Sequence, residues 1–68
     1  MPVAKAPASE AIEAALRAAT GPMSILEICK SAFGRAGARE RNLVLVNLHR
    51  LDARGILVKH PQTYEIRD

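Results

Sequence analysis

Tryptophan is absent from this 68-residue chain, and Phe33 and Tyr64 are its only aromatic side chains. Two rings cannot supply a series of stacking platforms, so a groove that holds single strands by aromatic stacking is not expected. The core must instead be assembled from Leu, Ile, Val and Ala. Cysteine is nearly missing: Cys29 stands alone, which rules out an intramolecular disulfide and fits a reducing compartment. No apolar run approaches the ~20 residues that span a bilayer. The start, Met1 to Pro7, lacks a continuous apolar segment of signal-peptide type. A cytoplasmic protein without membrane contact is therefore expected. The constellations that carry catalysis are lacking too: no nucleophile–base set, no Gly-rich phosphate loop and no carboxylate pair at useful spacing. His49 and His60 stand eleven positions apart with no Cys pair or carboxylate at ligand spacing, so neither a metal nor a cofactor is expected. A domain this small has little room for a pocket, and neither catalysis nor a small-molecule substrate is expected.

What the chain does have is an ordinary globular composition, 49% hydrophobic and 25% charged, which argues against disorder. Its length allows one domain, and a domain near this size buries only about 60% of the surface its unfolded chain exposes. A second copy or a larger assembly would relieve that shortage. The net charge of +3 is unevenly spread. Residues 1–29 carry two cations against three anions, a net of −1, and residues 61–68 carry one against two, again −1. Residues 30–60 carry seven against two, a net of +5. Single Arg and Lys residues are ordinarily just solvated, but a cluster in the middle of the chain suggests a polyanionic partner.

Residues 1–8, with Pro2 and Pro7 among small side chains, read as a flexible tail, leaving 9–68 as the folded domain. A first helix is expected from about Ser9, as its cap, to Ala19, with Glu10 and Glu13 in the first turn. Ile12, Ala15, Leu16 and Ala19 form its buried stripe, and Gly21 and Pro22 stop it, Gly21 just past the end in the left-handed role. Ser24-Ile25-Leu26-Glu27 has capping-box spacing for a second helix, whose stripe is Ile25, Ile28, Cys29 and Ala32 and which Gly34 ends. On that stripe Cys29 reads as a core thiol. Met23, just ahead of the cap, is placed to bridge to a later strand. A third helix is expected over about Arg39 to Arg54, with Val44, Leu48 and Leu51 inward. Leu43-Val44-Leu45-Val46 would also suit a strand, but Asn47 to Arg54 continue the helical stripe. After Gly55, two β-prone runs, Ile56 to Lys59 and Tyr64 to Arg67, flank a turn with Pro61 at its second position, the pattern of a hairpin. Tyr64 reads as packing at the core edge.

The stretch Leu48-His49-Arg50-Leu51-Asp52-Ala53-Arg54-Gly55-Ile56-Leu57-Val58 resembles the L-x-x-L-x-x-x-G-[LI]-[LIV] ending of the recognition helix in winged-helix transcription regulators of bacteria and archaea. Ser24 to Ile28 is similar to the start of their second helix. The resemblance covers roughly Ser9 to Arg67. It implies an α+β fold, a small winged helix with three helices followed by a C-terminal β-hairpin wing. It also implies a DNA-binding regulator whose third helix enters the major groove, with the wing against the backbone or minor groove. On that reading Arg39 and Arg50 take guanine edges or phosphates, Asn42 an adenine edge, and His49 a phosphate or base. Arg35 and Arg41 meet backbone phosphates, as do Lys59 and His60 on the wing.

The exposed face of the third helix carries Arg39, Asn42, Val46, His49, Arg50 and Ala53, with Leu43 and Leu45 at its flanks. Val46 at the centre suits a thymine methyl, yet it equally suits a protein or dimer surface. Two functions follow. One is a duplex-DNA binder acting as a homodimer; the other is a winged-helix adaptor or inhibitor that grips a protein through Leu43, Leu45 and Val46. Asp52 and Glu40 read as ion-pair partners for arginines of the same helix rather than as catalytic groups.

Overall fold

The computed structural model describes residues 7–67, and the structural statements that follow concern those residues. Three helices, α1 (Ala8–Ala18), α2 (Ile25–Phe33) and α3 (Ala38–Ala53), precede an antiparallel hairpin of β1 (Leu57–Lys59) and β2 (Tyr64–Ile66). The class is α+β, in the expected order.

Helix α1 departs from the sequence reading at both ends. Pro7 occupies the cap position, its carbonyl accepting from the Ala11 amide at 3.1 Å, and no side chain caps the helix. Ser9 is already inside the first turn, so its hydroxyl cannot perform the expected capping. Glu13 falls in the second turn, leaving Glu10 as the acidic residue of the first. Ala8 is helical, so the expected tail over 1–8 ends too late; residues 1–6 of it lie outside the described residues. At the other end Ala19 leaves in an extended conformation (ψ 145°). Gly21 does not adopt positive φ, and so does not play the left-handed role assigned to it. The extended exit carries the chain to Met23, whose amide and carbonyl both bond Tyr64, at 2.9 and 2.8 Å. The bridge expected of Met23 is present.

Helix α2 follows its local signals closely. The Ser24 hydroxyl accepts from the Glu27 amide at 3.2 Å, and the Glu27 carboxylate accepts from the Ser24 amide at 2.8 Å. Gly34 ends the helix at φ +78°, a left-handed conformation that a Cβ would strain, and its amide bonds the Lys30 carbonyl. Helix α3 is continuous through Leu43–Val46, which removes the strand alternative. Arg54 lies just past its end as the C-cap, and Gly55 follows at φ +77°.

The core joins Ile12 and Leu16 of α1, Ile28 and Cys29 of α2, and Val44, Leu48 and Leu51 of α3. Met23, Phe33, Ile56, Leu57, Tyr64 and Ile66 pack against it, so the hairpin closes the open side of the three-helix body. Burial holds the Cys29 thiol above its ordinary range, with Glu40 adding to the rise and Arg41 opposing it. Asn47 is the one buried polar residue among those described, and its amide donates to the Leu43 carbonyl at 2.8 Å, one turn back. In the hairpin Leu57 pairs with Ile66 and Lys59 with Tyr64, and the His60 amide donates to the Thr63 carbonyl at 2.9 Å. The connection from His60 to Thr63 runs without positive φ.

Candidate nucleic-acid interface

Burying Val44, Asn47, Leu48 and Leu51 fixes the rotation of α3 about its axis. Arg39, Asn42, Val46, His49, Arg50 and Ala53 are consequently exposed. At about 100° per residue these six fall within one sector, with Val46 and Ala53 near its middle, Arg39 and Arg50 toward one edge and His49 at the other. Val46 is 51% exposed and Leu45 49%, while Leu43 is half-buried. The apolar patch is thus mainly Leu45 and Val46, and Leu43 contributes little to it.

Two margins border this face. On one side a shallow groove is lined by Leu45, His49 and Asp52 of α3 together with Leu57, Lys59 and Tyr64 of the hairpin. On the other, Arg50 and Arg54 line a hollow shared with Ser9 and Glu13 of α1. Glu13 is already engaged there: its carboxylate lies 3.1 Å from Arg17 and 3.1 Å from Arg54. Those hydrogen bonds, Arg17's first and Arg54's second, hold its pKa below the ordinary carboxylate range against a small opposing effect of burial. Arg54 is thereby turned toward α1.

The expected cations differ in how committed they are. Arg35, in the connection before α3, lies 3.6 Å from Glu40, Lys59 lies 3.2 Å from Asp52, and His60 lies 2.7 Å from Glu65. Glu40 and Asp52 do form ion pairs, but with cations before and after α3, not with the helix's own arginines. Among the described residues, the side chains of Arg39, Arg41 and Arg50 make no ion pair or hydrogen bond. Arg41 is set apart in direction, sharing a surface with Ile25, Ala38, Asn42 and Leu45 where α2 begins. The structure therefore gathers Arg39, Asn42, Val46, His49 and Arg50, with Lys59 across the groove and Arg41 at the α2 margin. Arg35 and His60 lie off the helix, each held by an acid.

Sequence reasoning missed Leu26, which is 53% exposed on α2. Helical phase carries that signal, since position 26 stands about 110° from the centre of the stripe formed by Ile25, Ile28, Cys29 and Ala32. No group of three or more His, Cys, Asp or Glu among the described residues is placed to hold a metal ion. No helix there is long and apolar enough to cross a membrane. Comparison with protein-family models, with curated proteins and with solved structures gave no match for this chain.

Proposed function

We propose that this chain is a winged-helix module that binds duplex DNA through the exposed face of α3, the hairpin lying alongside as the wing. The observation that carries this reading is the pair of arginines on that face, Arg39 and Arg50, which no acid among the described residues neutralises. Unpaired guanidinium groups keep their full attraction for phosphates and displace counterions when they bind. Asn42 and His49 beside them offer hydrogen-bonding groups to base edges. The body measures 36 × 24 × 22 Å, and α3 is about 24 Å long, so one copy covers one half-site. Two copies on a palindromic site would supply the affinity and selectivity of a cytoplasmic transcription regulator. The domain acts by binding and carries no reaction of its own.

Titration against a generic duplex at two salt concentrations tests this. Log affinity should fall linearly with log salt. The double substitution Arg39→Ala with Arg50→Ala should weaken binding by about 1–3 kcal/mol for each well-formed arginine–DNA bond that it removes. Unchanged affinity in the double variant would remove α3 as the binding element.

A second reading draws on the half-exposed Leu45 and Val46. There the domain is an adaptor or inhibitor, its apolar centre docks on a protein, and the arginines rim the interface. Val46→Asp should abolish such a complex. A partner or oligomer that survives this substitution sinks the adaptor.

A further inference from the structure

Resting on the DNA-binding reading, we infer that the α3 face divides its work: Val46 reads a thymine methyl, whereas Arg39 and Arg50 grip phosphates on the two rims of the major groove. Arg39 and Arg50 are eleven residues apart on nearly the same line of the helix, hence about 16 Å apart along its axis. The major groove is only about 12 Å wide. With α3 laid across the groove, side chains so spaced overreach the base edges lying between them and arrive at the rims, where the phosphates stand. Among the described residues no acid ties either down, which leaves each able to take a phosphate oxygen. Val46 lies between them, about 10 Å from Arg39 and about 6 Å from Arg50 along the axis, over the groove floor. It is 51% exposed and has nothing polar to offer. The one apolar group on the major-groove edges of the four bases is the methyl of thymine. Leu45, turned toward the hairpin groove, widens the apolar strip on one side. Cationic ends with an apolar centre match a duplex carrying thymine at the middle of each half-site.

The test begins by selecting bound duplexes from a randomised pool with the full chain. Each thymine of the selected site is then replaced by uracil, which removes the methyl and keeps the pairing. One position per half-site should lose about fourfold in affinity, the worth of one buried methyl group. Val46→Ala, checked for unchanged helicity, should bind the thymine and uracil forms alike with an unaltered salt slope. Arg39→Ala and Arg50→Ala should each lower the salt slope by about 0.9 and keep the thymine preference. Selection without a favoured thymine, or a preference that survives Val46→Ala, overturns the inference while salt-dependent binding leaves the DNA reading standing. Absence of salt-dependent binding to every duplex overturns both. Capture of a protein sensitive to Val46→Asp would then mark the face as an adaptor surface.

Discussion

Glu13 lies where two helices meet, its carboxylate shared by Arg17 one turn on and Arg54 forty-one residues on. Because the folded carboxylate binds a proton less readily than the unfolded one, it stabilises the fold above about pH 4.5. That contribution disappears as pH falls through its lowered folded value. Urea unfolding from pH 6 to pH 3 should show stability falling with acid, and Glu13→Gln should flatten the decline. Cys29 acts at the opposite end of the scale. Its folded thiol keeps its proton while an unfolded thiol ionises, so stability is intact below about pH 9 and declines as pH rises beyond it. The same burial should make the thiol unreactive toward a disulfide reagent until the chain unfolds, with modification tracking the unfolded fraction. Cys29 was legible from its place on the α2 stripe. The Glu13–Arg54 pair was not, because no local pattern ties residues on different helices.

Among the elements, α2 depends most plainly on a few local groups. Ser24→Ala removes the hydroxyl half of its capping box and should cost about 1 kcal/mol. In a domain this small such a loss lowers the melting temperature by about 4–8 °C, readable by circular dichroism. Local devices of this kind explain why α2 and α3 could be placed from sequence. The Ser24/Glu27 spacing and the glycines at 34 and 55 act within a turn of the positions they govern. Helix α1 offered weaker signals. Ser9 matches cap chemistry, yet Pro7 takes the cap two residues earlier, leaving Ala8 as the first helical residue. Its far end is set by the Met23–Tyr64 bridge, a pairing across forty-one residues, so a glycine near the end misleads. The outward sector of α3 followed from phase alone. Which of its cations would stay unpaired did not, since Asp52 reaches Lys59 on β1 and Glu40 reaches Arg35 in the preceding connection.

For the molecule as a whole, seven buried aliphatic and thiol side chains tie three helices together, and the hairpin completes the enclosure. Stabilities of about 0.05–0.15 kcal/mol per residue leave a chain this short little reserve. Leu48→Ala, at 4% exposure in the centre of that cluster, should cost about 2–5 kcal/mol. Much of the population should then be unfolded at 37 °C, as a flattened thermal transition would show. The same small scale shapes function. A domain about 24 Å across offers one helix face, and here that face has cations at its ends and an apolar strip at its middle. The most direct test of α3 as a DNA-reading element is the slope of log affinity against log salt for one duplex, with the unaltered chain and with Arg39→Ala/Arg50→Ala. A linear fall with salt that becomes shallower by about 1.8 in the double variant is the expected result. Equal slopes for the two proteins, or affinity indifferent to salt, would contradict it.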